Sequence, residues 1–213
     1  MTKPDAGGLA ANAESNAIAE KKRRRLGRWK MLAVVAVCAA PMIASYFTYY
    51  VIKPESRNNY GALIDPRQYP IPDLGSSALD GGKAGLEDYK GKWIMLQVDR
   101  GNCAEACRNK LFTMRQLRLM QGKEMERIER VWLVTDKEPV ETMLIREYDG
   151  TDMLRVDAAR LKAWLPVEQG TSVEDHLYLI DPLGNLMMRF PKDPDPGKMK
   201  KDISKLLRAS AIG

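Results

Sequence analysis

The fold is decided by residues 93–107, which read WIMLQVDRGNCAEAC. Residues 93–99 are a nearly continuous apolar run, which is typical of a β-strand that is buried on both faces of a sheet. The next residues, 100–103, contain Gly and Asn and predict a turn. A helix is expected to follow over about residues 104–121. The stretch therefore predicts a buried strand that leads through a cysteine-containing turn into a helix.

The sequence after this stretch predicts more strands and helices of the same domain. A second buried strand is expected over residues 131–134, and two short helices fit between Lys137 and Pro166. Asp157 is suited to cap the second of these helices, because an Asp side chain can accept hydrogen bonds from the first free backbone N–H groups. Strands that are separated by helices favour parallel pairing.

The C-terminal part of the chain predicts a hairpin and a last helix. The apolar runs 177–180 and 186–190 flank the sequence DPLGN, which is a turn signal between two strands. The last helix is expected to begin with Asp195 as its cap and Pro196 in its first turn. The hairpin adds antiparallel strands, so the predicted fold class is α/β, a mixed sheet flanked by helices.

The positive charge of the chain is concentrated at its N-terminus. The net charge is +6, and residues 1–30 carry eight Lys or Arg against three acidic residues. The rest of the chain is close to electrically balanced. A nucleic-acid-binding surface would need a basic patch on the folded domain, so nucleic acid is not expected as a partner.

A membrane anchor is predicted directly after this basic tail. Residues 31–52 contain no charged residue, and a helix of this length extends roughly 33 Å, enough to cross a bilayer core. The basic cluster before the span places the N-terminus in the cytoplasm by the positive-inside rule. A cleaved signal peptide is the alternative, and the length of the tail and of the apolar run argue against it. A single-pass protein of a bacterial inner membrane is expected, with its C-terminal domain in the periplasm.

The predicted organisation has four parts. They are a cytoplasmic tail over 1–30, a transmembrane anchor over 31–52, a linker over 53–75 and a globular domain over 76–213.

Two of the three cysteines form the candidate site. Cys103 and Cys107 lie four residues apart at the expected start of a helix, a spacing that puts both sulfurs on one helix face. The partial positive charge of a helix N-terminus favours thiolate, which is the form that binds metal or attacks disulfides. Cys38 lies inside the predicted span, where it is expected to act as a small apolar side chain.

The domain has one histidine, His176, at the beginning of the strand 177–180. A closed structural zinc site needs four ligands, more than Cys103, Cys107 and His176 supply. Two thiolates and one imidazole suit Cu(I) in a three-coordinate site. The residues alone leave three roles open for the cysteine pair, which are metal binding, redox exchange and a structural disulfide.

Two motifs resemble the Sco/SenC family. The first is LEDYKGKW at residues 86–93, followed by the apolar strand and by GNCAEAC at 101–107. The second is VEDHLYLIDPLG at residues 173–184, which is similar to the histidine strand and turn of the same family. Ala104 and Arg108 stand where family members usually have Pro after each cysteine, so the chain looks like a divergent member.

The resemblance covers about residues 76–208 and implies a thioredoxin-like fold. It implies that Cys103, Cys107 and His176 hold copper as Cu(I). It also implies assembly of the copper centre of cytochrome c oxidase, either as a metallochaperone or as a thiol–disulfide reductant. The expected partners are the membrane and an oxidase subunit or another copper or thiol client protein. The alternatives are a metal-free periplasmic thiol–disulfide oxidoreductase and a structural interaction protein with a stapling disulfide.

Overall fold

The computed structural model describes residues 6–48, 50 and 59–212. The chain divides into two compact units, Met1–Ser56 and Arg57–Gly213.

The first unit is built on one long helix, α1, which spans Ala6–Phe47 and includes Pro41. Its segment Gly27–Phe47 has 21 residues and a mean hydropathy of 1.7, which makes it long and apolar enough to cross a membrane. Val51 and Ile52, at the end of the predicted span, lie outside the described residues. The predicted apolar helix near the N-terminus is therefore present.

The second unit contains a seven-stranded sheet. Its strands are β1 (Ala62–Leu63), β2 (Ser77–Ala78), β3 (Trp93–Asp99), β4 (Ile128–Val134), β5 (Thr151–Arg155), β6 (Leu177–Ile180) and β7 (Leu186–Arg189). Its α-helices are α2 (Glu105–Leu119), α3 (Thr142–Glu147), α4 (Ala158–Trp164) and α5 (Pro196–Ala209). Short 3-10 helices lie at Pro66–Gln68, Leu86–Tyr89, Gly122–Arg127 and Val173–Asp175.

The strand order across the sheet is β1-β7-β6-β3-β4-β5-β2. The strands β3, β4 and β5 are parallel to one another, whereas β6 is antiparallel to β3 and to β7. Helices cover both faces, with α2, α3 and α5 on one side and α4 on the other. The prediction of a mixed sheet flanked by helices is confirmed.

The apolar run of β3 supplies both halves of the core. Trp93 and Met95 pack with α2 and α5, and Ile94, Leu96 and Val98 pack with α4. This alternation follows from the two-residue repeat of a strand, which points successive side chains to opposite faces. Burial of each large apolar side chain contributes about 1.5–3 kcal/mol, so this strand is a main source of stability.

The helix starts were predicted from their caps, and the caps are observed. The Asp157 carboxylate accepts from the backbone of Ala159 at 2.8 Å and begins α4. The Asp195 carboxylate accepts from Gly197 at 2.8 Å, and Pro196 is the first residue of α5. Both helices therefore begin where the sequence indicates.

One strand was missed by the sequence interpretation. Residues 151–155 lie between the two predicted short helices and form β5, which pairs with β4 in parallel. Thr151 and Met153 are buried and Asp152 between them is exposed, so the strand lacks the continuous apolar run of β3. The segment predicted as a linker also adds an edge strand, because Ala62–Leu63 pairs with β7.

A buried carboxylate fastens this edge of the sheet to α5. Asp202 is 3% exposed, and its Oδ2 accepts from the backbone N–H groups of Tyr60 at 2.6 Å and Gly61 at 2.9 Å. Gly61 cannot be replaced without movement, because a Cβ there would lie 2.5 Å from the sulfur of Met188. The chain entering β1 is thus held by one side chain of the last helix.

Replacing Asp202 with Ala should detach this edge. One buried and one partly buried backbone N–H group would lose their acceptor, so the free energy of unfolding should fall by about 2–3 kcal/mol. Urea denaturation measures the change, and Lys201→Ala, on the exposed side of α5, is the matched control. Equal stability of the two variants would contradict the role given to Asp202.

Candidate functional site

The two candidate cysteines form a disulfide. Cys103 lies in the turn between β3 and α2, and Cys107 lies in the first turn of α2. Their Cα atoms are 5.1 Å apart, and the residues are only 1% and 0% exposed. The structure therefore brings the predicted pair together and buries it in the core on the α2 face of the sheet.

The turn that carries Cys103 is held against a second loop. The N–H of Gly101 donates to Oδ1 of Asp136 at 2.9 Å, and a Cβ on Gly101 would lie 2.4 Å from the carbonyl oxygen of Glu138. Only glycine permits this close approach. Cys103 has φ +38°, a left-handed conformation that costs free energy in residues other than glycine. The two loops therefore fix the disulfide together.

A buried amide contacts the disulfide from the sheet. Gln97 in β3 is 0% exposed, and its Nε2 donates to the sulfur of Cys107 at 3.4 Å. Its Oε1 finds no partner among the residues that the structure describes. Hydrogen bonds to charged groups are stronger than those to neutral groups, so this amide stabilises a thiolate more than a disulfide sulfur.

The sequence interpretation did not single out Gln97. The available signal was its polarity, because Gln97 is the one polar residue between Trp93 and Val98 in a run that is otherwise apolar. A buried polar side chain in a central strand requires a partner, and here that partner is a sulfur.

Two ion-paired cations lie near the start of α2. The Nε of Arg108 donates to the carbonyl of Cys103 at 3.2 Å. Lys110 is largely buried and its Nζ lies 2.9 Å from Oδ2 of Asp99. Its ammonium group also donates to the backbone carbonyl of Glu174, in the segment before β6. Because each cation is paired with a carboxylate, the helix N-terminus is the feature that favours thiolate at the reduced pair.

A groove opens beside this end of α2. It has a volume of about 530 Å³ and lies between α2, the segment before β6 and the loop after β7. Its lining includes Glu105, Lys110 and Leu177. Leu177 is paired in register with Gln97, so the groove lies close to the cysteine pair.

His176 lies on the other side of the sheet from the cysteines. It directly precedes β6 in an extended conformation and is 0% exposed. Leu177 packs in the core cluster that contains both cysteines, and Tyr178 packs in the opposite cluster. The ring of His176 makes an edge contact with Tyr178, with ring centroids 6.0 Å apart. The alternation of side chains therefore separates His176 from the disulfide.

Both imidazole nitrogens of His176 lie within hydrogen-bond distance of an oxygen atom. Nδ1 lies 2.8 Å from the carbonyl of Phe190, and Nε2 lies 2.7 Å from the hydroxyl of Thr171. A carbonyl only accepts, so the neutral ring donates from Nδ1 and carries its lone pair on Nε2. Burial is the main cause that lowers the pKa of His176 below its usual value, which keeps the ring neutral near pH 7.

The predicted set of three metal ligands is not assembled in this arrangement. Across residues 6–48, 50 and 59–212, no group of three or more His, Cys, Asp or Glu side chains could hold a metal ion. Cys103 and Cys107 are joined to each other, and His176 is bonded elsewhere.

These features define a thioredoxin-like domain with a disulfide at the start of its first core helix. The chain belongs to the family described as transmembrane-like, thioredoxin-like, C-terminal domain, whose model matches residues 93–210. A second model, described as transmembrane-like, N-terminal domain, matches residues 20–51 and agrees with a membrane anchor. No curated protein matches the sequence significantly.

Solved structures of low sequence identity have a similar fold. A SCO1/SenC family lipoprotein from Bacillus anthracis str. Ames is 18% identical, with a TM-score of 0.51 over 70% of this chain and 98% of that chain. Yeast Sco1 is 13% identical, with a TM-score of 0.52 over 67% and 99%. BsSco, described as a member of the Sco family of cytochrome c oxidase assembly proteins, is 17% identical, with a TM-score of 0.50 over 68% and 95%. The predicted thioredoxin-like fold and the resemblance to Sco/SenC proteins are confirmed at the level of the fold.

The buried histidine makes stability depend on pH. Its folded pKa lies below the unfolded value of about 6.5, so the unfolded chain binds the proton first as the pH falls. The free energy of unfolding should therefore decrease from about pH 7 to pH 5.5, by at most about 1.4 kcal/mol per pH unit. Urea titrations of the parent chain and of His176→Gln measure this slope.

The His176→Gln variant should lose most of the slope, because His176 is the only histidine in the chain. Asp175, whose pKa is lowered to about 2, affects stability only at lower pH, as its carboxylate becomes protonated. The same slope in both proteins would rule out a neutral buried histidine.

Gln97→Met should make the disulfide harder to reduce. The variant removes the amide donor that favours the thiolate, at a cost of about 1.5 kcal/mol, which shifts the midpoint potential to more negative values by about 30 mV. Equilibration in glutathione buffers measures the potential. The control is Gln116→Met, on the partly exposed side of α2. An unchanged midpoint potential in Gln97→Met would show that the contact with Cys107 does not stabilise the thiolate relative to the disulfide.

Proposed function

We propose that this chain is a membrane-anchored thiol–disulfide exchange protein that acts outside the bacterial cytoplasm. The observation that carries the proposal is the Cys103–Cys107 disulfide at the first turn of α2, in contact with the amide of Gln97. The basic tail favours a cytoplasmic N-terminus and a periplasmic domain. A disulfide is chemically stable in that compartment.

The proposed organisation follows the four predicted segments. Residues 1–30 form the cytoplasmic tail and 31–52 the anchor, while 53–75 connect the anchor to a periplasmic domain over 76–213. The pairing of Ala62–Leu63 with β7 places part of the connecting segment on the domain itself.

The reaction is an exchange between this disulfide and two thiols of a client protein. A client thiolate attacks one sulfur of the pair and forms a mixed disulfide, while the other cysteine leaves as a thiolate. The second client thiol then releases an oxidised client and a reduced Cys103–Cys107 pair. Two electrons pass from the client, and two protons accompany them. In the reverse direction the reduced pair reduces a client disulfide.

The surroundings of the pair suit this chemistry. The N-terminus of α2 and the amide of Gln97 both favour the thiolate that leaves or attacks. Both sulfurs are buried, so the turn that contains Cys103 has to open before a client thiol makes contact. The groove beside α2 offers a surface for the client segment that carries the thiol.

The midpoint potential of the pair tests this function. The full chain in detergent micelles, with Cys38→Ser to remove the third thiol, is equilibrated with glutathione buffers and then alkylated. A potential between about −270 and −120 mV, the range of exchange proteins, is expected. A value below about −300 mV would instead identify a structural disulfide.

A second candidate function is the handling of Cu(I) for the assembly of cytochrome c oxidase. Thiolates are soft ligands that select Cu(I), and the fold likeness to BsSco supports this candidate. The specific observation concerns Thr171, whose hydroxyl lies 2.7 Å from the carbonyl of Glu168 as well as 2.7 Å from His176. Because the hydroxyl donates its one proton to Glu168, the lone pair on Nε2 of the neutral ring has no donor and can bind a metal ion.

In this second function the copper ion is cargo, and Cys103, Cys107 and His176 are its proposed ligands. A disulfide offers no thiolate, so only the reduced pair takes up the metal. The redox state of the pair would thereby control metal loading, and His176 would move from its present position to complete the ligand set. The client would be an oxidase subunit or another copper or thiol protein.

An anaerobic titration with Cu(I) against a competing chelator tests copper binding. The reduced full chain in the Cys38→Ser background should bind one ion, and Cys103→Ser or Cys107→Ser should abolish tight binding. His176→Ala should weaken binding at least about tenfold, as expected for the loss of a ligand. Thr171→Val is the matched variant that leaves the imidazole in place, and its binding should be retained.

The two functions separate in His176→Ala. A normal midpoint potential together with weakened copper binding would assign both functions to the same cysteines. Unchanged copper affinity in His176→Ala would remove His176 from the ligand set. A lack of competitive copper binding by the parent chain would leave thiol–disulfide exchange as the function.

A further inference from the structure

Arg130 is a buried cation without an anionic partner in direct contact. It lies in β4 and is 5% exposed. Its Nη2 donates to the carbonyl of Asp149 at 2.8 Å, whereas no group in the described part of the chain accepts from Nε or Nη1. A buried charge is costly unless its hydrogen bonds and its charge are satisfied. Arg130 therefore carries two buried donors that no described group satisfies.

Two arginines of α2 lie near Arg130. Arg118 is partly buried and its Nη2 pairs with the exposed carboxylate of Glu126 at 3.4 Å, a type of contact that contributes little. Arg115 is exposed and donates to the backbone carbonyl of Glu147 at 3.3 Å. Three guanidinium groups thus share one region, and Glu126 is the one carboxylate that forms an ion pair with any of them among the described residues.

The three charges repel one another. The pKa of Arg130 is lowered from its usual range by burial and then by the positive charges of Arg118 and Arg115. Glu129 and Asp149 act in the opposite direction and do not reverse the shift. The local field is therefore positive, and an anion placed there would relieve both the repulsion and the burial cost.

A hydroxyl and a glycine complete the arrangement. Thr151 is the register partner of Arg130 across β4 and β5, and its buried Oγ1 has no hydrogen-bond partner among the described residues. Gly150 is exposed, and a Cβ at this position would lie 3.0 Å from Nη2 of Arg130. The guanidinium group therefore lies directly behind a surface position that has no side chain.

We propose that Arg130, Arg115 and Arg118 bind a phosphate-type oxyanion, with the Thr151 hydroxyl as a further donor. The planar guanidinium fork matches pairs of phosphate oxygens, and three arginines can serve an anion with several oxygens and more than one negative charge. Free phosphate and the phosphate headgroup of a lipid share this chemistry.

This anion site is separate from the disulfide. The turn with Cys103 follows the C-terminal end of β3, whereas Arg130 lies near the beginning of the parallel strand β4. Along α2, the rise from Cys107 to Arg118 is about 16 Å. The inference therefore does not depend on the function proposed for the cysteines.

Thermal unfolding of the full chain in detergent micelles tests the site with inorganic phosphate as the probe. Phosphate is varied at constant ionic strength, balanced with sodium chloride. The unfolding midpoint should rise with phosphate and saturate, and Arg130→Met should abolish the rise. Arg115→Gln should weaken the apparent affinity about tenfold, as expected for one lost charge-assisted contact. Arg146→Met, on the exposed side of α3, is the matched control and should respond like the parent chain.

The stability of Arg130→Met without phosphate gives a second measure. Arg130→Met removes a buried charge that lacks a partner, so its thermal unfolding midpoint should equal or exceed that of the parent chain. A strongly lowered midpoint together with an unchanged phosphate response would show that Arg130 is only structural and would overturn the proposal. If Arg130→Met does not fold, the phosphate response of Arg115→Gln decides, and a response equal to that of the parent chain overturns it.

Lipid nanodiscs distinguish the two sources of phosphate. The ligand would be a lipid headgroup if the unfolding midpoint does not respond to free phosphate but is higher in phosphatidylglycerol than in phosphatidylcholine. Arg130→Met should then lose that difference. Stabilisation by free phosphate alone would identify a soluble anion. The absence of both effects would overturn the proposal.

Discussion

The pairing of β3 on both of its edges is the constraint on which the rest of the domain depends. This strand is parallel to β4 on one side and antiparallel to β6 on the other, and it is buried on both faces. Its side chains alternate between the two halves of the core, so Gln97 meets the disulfide and Val98 faces the α4 side. Each neighbouring element takes its position from this alternation.

The register between β3 and β6 also determines where the histidine lies. Leu177 is paired with Gln97, and a shift of one residue would exchange the faces of every side chain in β6. Such a shift would exchange the side chains of β6 between the two halves of the core, whose packing therefore holds the strand in place. A change that brings His176 toward the cysteines would have to occur in the segment that precedes β6, where Thr171 and the 3-10 helix Val173–Asp175 lie.

Much of the fold could be predicted from the sequence because its signals are local. The apolar run at 93–99 and the caps at Asp157 and Asp195 act within a few residues, and each was found where expected. The strand at 151–155 was missed because only Met153 and Leu154 of its five residues are apolar, so it lacks a continuous run. The cysteine pair could be found from its spacing. The position of His176 instead depends on the pairing of Leu177 with Gln97, which lies 80 residues earlier, and on the face that each side chain takes in that register. The sequence around Arg130 did not indicate an anion site, because Arg115 and Arg118 lie in α2 and come near Arg130 only in the folded domain.

The close fit between Gly101 and the carbonyl of Glu138 has a kinetic consequence. The turn that covers Cys103 and the loop after β4 interlock, so neither can move far unless the other moves with it. A reductant would reach the sulfurs only while both segments are displaced together. This displacement is a local opening with its own equilibrium and rate. The rate of attack on the disulfide would then increase with reductant only at low concentration and level off at the opening rate. The speed of the chemistry would be set by the backbone of two loops rather than by the strength of the attacking thiol.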